Sequence, residues 1–254
     1  MSAEKTYKND PMGIQRGVYG RDWFGNIVFS ASRTFTGPVQ YLLIGAHPLG
    51  RYFGVPPPPT GGFITVLGHT VPRYQALAAL MPTYLAVKQI FWINVLAREK
   101  LSKTFLWFAV PAGMVVEVVH SLAFTAASRN PLFSDRAFNI GLALFVAGNI
   151  LELVADVQLA LHRWNPKNRG KVCKTGVWRI TRQINYTANV IFGFGYAMAL
   201  GGPVYGMVTT AATYVTNFLT NAGPSKEHYC QEKYGEQWDE YKKEVPYVLI
   251  PWIY

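Results

Sequence analysis

The stretch "FNIGLALFVAGNILELVADVQLAL", residues 138–161, decides the fold class. Its apolar residues fall on every face of a helix rather than in one stripe, and its length meets the roughly 20 residues that a helix needs to cross a bilayer. A soluble core accommodates one such helix, but a succession of them is stable only in lipid, where each helix satisfies its own backbone. Similar runs occupy residues 76–97, 104–127 and 184–221, the last long enough for two crossings separated at Gly201-Gly202-Pro203, and a weaker one occupies 36–55. Of the 254 residues 50% are hydrophobic and 15% charged, against about a quarter charged in a soluble domain. The sequence predicts an all-α transmembrane bundle of five to six spans. It forms a single integral membrane domain over 1–254, with a C-terminal helix and tail in the cytosol.

The net charge of +10 lies between the spans, not along one soluble face. That distribution is a topology signal and leaves nucleic acid without support as a partner. The densest cluster, "HRWNPKNRGKVCKTGVWRITR" at residues 162–182, contains no acid, so the positive-inside rule puts it in the cytosol. Parity puts the loop bearing Arg98, Lys100 and Lys103 and the C-terminal tail on the same side. Residues 1–26 are polar and Gly-rich without the apolar core of a cleavable signal peptide, so insertion is expected to begin with the first span. Cys173 and Cys230 make neither a metal set nor a disulfide framework, and no metal is expected.

Ionisable residues at membrane depth are functional candidates by default. Glu117 and His120 share a helix face at i, i+3, and Glu152 and Asp156 share another at i, i+4. Burial raises a carboxyl pKa and suits it to general acid work on an alkene, epoxide or carbonyl. Interhelical hydrogen bonding is the competing reading for each pair, and for Asp156, close to the cytosolic end, it is the favoured one.

The chain ends "CQEKYGEQWDEYKKEVPYVLIPWIY", residues 230–254. One helix over 226–242 would align Cys230, Tyr234, Trp238 and Tyr241 on a face that packs on the bundle. Pro246 and Pro251 then force an extended path back to the interface. The tail is expected to close a cytosol-facing pocket as a lid, with a simple interfacial anchor as the alternative.

Two segments carry a family resemblance. "GVWRITRQINYTAN" at 176–189 and the tail at 230–254 resemble the C-terminal half of the membrane sterol reductases that saturate the Δ14, Δ7 or Δ24(28) double bond. Their wider superfamily includes steroid 5α-reductases and isoprenylcysteine methyltransferases. The resemblance covers 152–254 and implies an NADPH site to which Arg163, Trp178, Arg182, Asn185, Tyr186, Cys230, Tyr234 and Tyr241 would contribute. It implies reduction of a carbon–carbon double bond in a lipophilic sterol- or terpenoid-like substrate at the endoplasmic reticulum, with Glu117 or Tyr186 supplying the proton. Leu159, Asn189, Ser225 and Lys226 depart from the family pattern, which expects Lys, Asp, Arg and Asp there. Lys226 and Arg179 are candidate replacement cations. The departures keep open a non-redox isomerase or cyclase using Glu117, His120 or Glu152, and a lipid-binding protein without activity. The partners expected are a lipophilic small molecule and membrane lipid.

Overall fold

The structure, a computed structural model, describes residues 13–253. Strand β1 (Ile14–Tyr19) leads into helices α1 (Trp23–Thr34), α2 (Thr36–Ala46) and α3 (Pro48–Phe53) and a hairpin of β2 (Phe63–Val66) and β3 (His69–Pro72). The long helices follow: α4 (Arg73–Phe91), α5 (Val110–Thr125), α6 (Asp135–Trp164) and α7 (Ile184–Thr210), with β4 (Glu99–Leu101) between α4 and α5. Helices α8 (Gly223–Tyr234) and α9 (Glu236–Glu244) close the chain, and π-helical turns at Ala211–Val215 and Phe218–Ala222 connect α7 to α8.

Among the described residues, four helical segments are long and apolar enough to cross a membrane: Arg73–Leu96, Phe105–Thr125, Asp135–Trp164 and Ile184–Tyr234. The protein is a mainly α-helical membrane bundle. The last segment is interrupted at the position the sequence marked, because Gly202 has φ 84 and ψ 173. Glycine adopts that backbone freely, and Pro203 beside it cannot donate to the preceding turn.

The weak span at 36–55 is not one helix. His47, at φ 45, separates α2 from α3, and α3 is too short to cross. The helical path instead extends toward the N-terminus, since only Phe35 separates α1 from α2. At a helical rise of ~1.5 Å per residue, residues 23–46 reach ~36 Å. Two of their polar side chains find partners inside the bundle: Asn26 donates to the Ile93 carbonyl at 3.3 Å and Arg33 is paired with Glu117.

The closest helix–helix contact is between α6 and α7. A Cβ added at Gly148 would sit 2.5 Å from the Phe192 nitrogen, one at Gly141 would sit 2.5 Å from the Ala199 nitrogen, and one at Gly195 would sit 2.4 Å from the Phe145 nitrogen. Small residues let the two backbones touch, the main source of helix association where lipid removes the hydrophobic drive. Around this seam Tyr74, Met81, Phe124, Phe138, Phe145, Phe192, Tyr196 and Leu200 form the main core.

One end of the bundle gathers β1, β4, the basic loop and α8. Strand β1 pairs antiparallel with β4, Arg98 lies over the Trp164 ring at 5.8 Å, and the Tyr19 hydroxyl meets that of Tyr229 at 2.9 Å. The opposite end is tied by Asn130 donating to the Gly201 carbonyl and Arg129 to the Gly54 carbonyl, each at 2.8 Å. Gly148→Ala is expected to cost about 1–3 kcal/mol by overpacking the seam. Gly113→Ala, where nothing lies within 4 Å of the added Cβ, is expected to be neutral or stabilising. Unfolding midpoints of the two variants in detergent measure the difference.

Candidate active site

A cavity of about 740 Å³ opens between α4, α5, α6, α7 and α8, with β1 and the α4–α5 connection closing part of its wall. Much of the lining is apolar, including Phe29, Leu85, Phe105, Val110, Leu153 and Phe218. Polar side chains project into it at three levels.

At the basic end stand Arg16, Arg163, Asn185, Tyr186 and Lys226. Lys226 is buried, donates to the Asn185 side chain at 3.0 Å, and lies 4.9 Å from the Trp178 ring and 4.8 Å from the Tyr186 ring. Among the described residues it has no carboxylate partner, and Arg163 has no hydrogen-bond or ion-pair partner. Arg16 donates to the Tyr186 hydroxyl oxygen at 2.8 Å and approaches Glu99 at 3.9 Å, while the Tyr186 ring stacks on Phe218 at 4.3 Å. Arg16 reaches this place because β1 is held by β4.

At the middle level Lys88 of α4 forms an ion pair with Glu152 of α6 and donates to Asn149 at 2.7 Å. Asn189 of α7 donates to the other Glu152 oxygen at 2.8 Å. Three helices are thereby tied at one carboxylate. Asp156, one turn on from Glu152, also lines the cavity and makes no hydrogen bond with the described residues.

At the far level Arg33 clamps Glu117 through two contacts of 2.5 and 3.2 Å. His120 meets the Tyr205 hydroxyl through Nδ1 at 2.7 Å, and its ring stands edge-on to Tyr196, with centroids 4.8 Å apart. The Tyr196 hydroxyl is buried without a partner.

Glu117, His120, Glu152 and Tyr186 all line this cavity, as do Arg163 and Asn185. Trp178, Arg182, Cys230, Tyr234 and Tyr241 do not; they sit behind its wall, in the packing of the tail. Arg182 spends its guanidinium on the Val245 and Pro246 carbonyls, at 2.7 and 2.8 Å, and on Glu227. The Tyr241 hydroxyl donates to the Trp178 carbonyl at 2.5 Å, and burial holds its pKa above the ordinary value. Burial likewise raises the Cys173 thiol, so it stays protonated.

The tail is a buttress and not a lid. No described residue after Lys226 lines the cavity. The single helix expected over 226–242 is broken at Gly235, φ 54, so Cys230 and Trp238 reach one cluster from two helices. The extended path after Pro246 runs beside the start of α7, where the Arg182 and Gln183 amides donate to the Tyr247 and Val248 carbonyls at 2.9 and 3.0 Å.

A protein-family model described as "Protein of unknown function (DUF1295)" matches residues 82–245, more than half of the chain. The chain belongs to the DUF1295 family. A probable O-methyltransferase, ustE, of Ustilaginoidea virens is 25% identical over 87% of this chain and 83% of its own length. A probable 7-dehydrocholesterol reductase of Acanthamoeba polyphaga mimivirus is 30% identical over 49% of this chain and 32% of its own length. The Delta(14)-sterol reductase ERG24 of Candida albicans is 30% identical over 35% and 19%. The likeness to sterol reductases is thus shown, and the chain spans a third or less of those two reductases.

In this DUF1295 chain, sequence reasoning left out of the site Arg16, Arg33, Lys88, Tyr196 and Tyr205, and gave Asp156 a structural role. Arg33 and Lys88 carried a legible signal, a lone cation in an apolar run. Arg16 carried none, because a strand pairing across the chain delivers it. Arg179 is exposed and off the cavity lining, whereas Lys226 lines it. If Arg182 serves the tail, Arg182→Met is expected to lower stability by about 3 kcal/mol, as the loss of charge-assisted hydrogen bonds requires. Ligand affinity per folded molecule should stay unchanged, which a paired unfolding and binding titration measures.

Proposed function

We propose that this chain is a membrane-embedded enzyme that binds NADPH at the basic end of the cavity and reduces a carbon–carbon double bond of a lipophilic, sterol- or terpenoid-like substrate. Lys226 carries the reading. Its ammonium, in a residue 8% exposed, faces the cavity with an amide and two ring faces for company. A buried charge without a counterion costs several kcal/mol, and an anionic ligand removes that cost. Arg163 and Arg16 add guanidinium forks suited to phosphate groups, so these cations fit the group despite the departures at Leu159 and Ser225.

Bound NADPH would supply a hydride to one carbon of the double bond. The apolar wall from α4 and α5 seats the hydrocarbon and excludes water. Because Arg16 donates to the Tyr186 oxygen, the hydroxyl keeps its own proton for delivery to the second carbon, and the guanidinium neutralises the phenolate left behind. Stacking on Phe218 fixes the ring during that transfer. The proposal includes an endoplasmic-reticulum location, which the sterol-reductase resemblance implies, and a cytosolic basic end, which the charge of residues 162–182 supports.

A second reading, transfer of a methyl group to an oxygen, is favoured by one observation: the ustE relative matches most of the chain. A sulfonium donor such as S-adenosylmethionine carries one carboxylate and no phosphate, so it leaves part of the cation set unused. With the purified protein in detergent, NADPH at a hundredfold excess over its dissociation constant is expected to add about 2.7 kcal/mol of stability. Lys226→Met should remove most of that gain and Arg163→Ala part of it. A folded protein that shows no shift in millimolar NADPH sinks the reductase reading, and a shift with S-adenosylmethionine in its place establishes the second.

A further inference from the structure

A second cavity, of about 430 Å³, lies at the end of α6 and shares no lining residue with the large one. Gln158, Leu161 and His162 of α6 form one side of it, and Asn168, Thr175 and Gly176 of the basic loop form the other. Leu161, Thr175 and Gly176 are exposed, so this notch opens outward. Hydrogen bonds fasten the loop to the helix end: the Asn168 side chain donates to the His162 carbonyl at 3.3 Å, the His162 Nε2 meets the Lys171 carbonyl at 3.1 Å, and the Val177 amide donates to the Gln158 Oε1 at 3.1 Å. The last bond leaves the Gln158 Nε2 as a donor without a partner among the described residues. A Cβ added at Gly176 would come 2.6 Å from that nitrogen, so the glycine leaves room beside the donor. The depth of the notch follows from the helix. An apolar run that begins at Phe138 has crossed the roughly 30 Å of hydrocarbon after about 20 residues, which sets residues 158–162 at the level of the lipid headgroups. Trp164, exposed and approached by Arg98 at 5.8 Å, is a residue type that favours this level.

We infer that the notch between α6 and the basic loop binds the headgroup of an anionic glycerophospholipid, whose acyl chain lies along the outer face of α6. Two features of the page select that partner. The first is charge. Lys167 and Lys171 flank the notch, through their neighbour Asn168 and the Lys171 bond to His162; both are exposed and neither has an ion-pair partner among the described residues. Lys174 differs, being paired with Glu244. A phosphate oxygen only accepts, so it suits the Gln158 amide as well as the two ammonium groups. A zwitterionic headgroup would bring its own cation against the lysines, whereas an anionic one adds attraction. The second feature is the surface below the notch. Val146, Ile150, Val154 and Leu161 are all exposed and recur at four- and seven-residue intervals, so they form one apolar ridge that leads up to Gln158. Headgroup and chain therefore meet complementary surfaces on the same helix. The inference rests on the membrane bundle alone and is independent of the reaction and its cofactor.

The test uses the full chain in an uncharged detergent without nucleotide, and follows the unfolding midpoint as dioleoyl phosphatidylserine, dioleoyl phosphatidylcholine or inorganic phosphate is added. Phosphatidylserine is expected to raise the midpoint at about a tenfold lower mole fraction than phosphatidylcholine, as two cations at headgroup level allow. Inorganic phosphate, which cannot use the ridge, is expected to leave it unmoved at millimolar concentration. Lys167→Ser with Lys171→Ser should abolish the preference without changing the lipid-free midpoint, because neither lysine has an ion pair to lose. Thr175→Trp, which fills the notch and keeps both lysines, should abolish it as well. Lys100→Ser with Lys103→Ser removes two equally exposed cations that do not line the notch, and the preference should survive. Equal response to the two lipids, a full response to inorganic phosphate, a preference retained in the Lys167 and Lys171 double variant or in Thr175→Trp, or one lost in the Lys100 and Lys103 control each overturns the inference.

Discussion

The contact on which the site depends is the backbone-to-backbone seam between α6 and α7. At Gly141, Gly148 and Gly195 no room remains for a methyl group, so the rotation of each helix about its axis is set there. Glu152 and Asp156 follow Gly148 at one-turn intervals, and Arg163 lies two turns further along the same face. On the other helix Asn185, Tyr186 and Asn189 flank Ala188, whose carbonyl faces Gly148. The seam therefore brings one row of acids and cations opposite one row of amides and phenols. Residues of both rows line the cavity.

Lipid surroundings make the remaining polar contacts consequential. Arg33 with Glu117 joins α1 to α5, and Lys88 with Glu152 joins α4 to α6. Breaking such a buried pair leaves a charge uncompensated and costs far more than the pair contributes in net terms. These pairs therefore act as registers that hold α1 and α4 in place around the seam. Lys226 differs from them, since its partners are an amide and two aromatic faces. It marks where the protein's own charges do not balance.

The membrane spans and the break at Gly202 were legible in the sequence, because both follow from local chemistry: long apolar runs and a Gly-Gly-Pro step. The helical path of 23–46 was not, since Asn26 and Arg33 depress its hydropathy while their partners Ile93 and Glu117 lie far along the chain. Motif spacing was informative about which residues sit near one another and silent about which way they face. Hence Arg163 and Asn185 line the cavity while Arg182, from the same motif block, turns to the tail. The lid expectation failed for a related reason. It assumed one continuous helix, and Gly235 bends the chain so that the aromatics close on 172–182 and not over the cavity.

The departures from the sterol-reductase pattern become coherent once the contacts are known. An Asp at 189 would set a second carboxylate against Glu152, whereas Asn189 donates to it. An Asp at 226 would offset the neighbouring cations, whereas Lys226 adds to them. At the basic end the replacements cancel in charge, because Leu159 and Ser225 each give up a cation of the pattern while Lys226 exchanges an acid for a cation; at the middle level Lys88 pairs with Glu152. What changes is where the charge stands: Lys226 puts a cation at a buried position beside Asn185 and the Trp178 and Tyr186 rings, with Arg16 and Arg163 lining the same end of the cavity. A buried cation of that kind costs stability unless something pairs with it, so the basic end, and not the ion-paired middle level, is where binding of an anion would change the stability of the bundle.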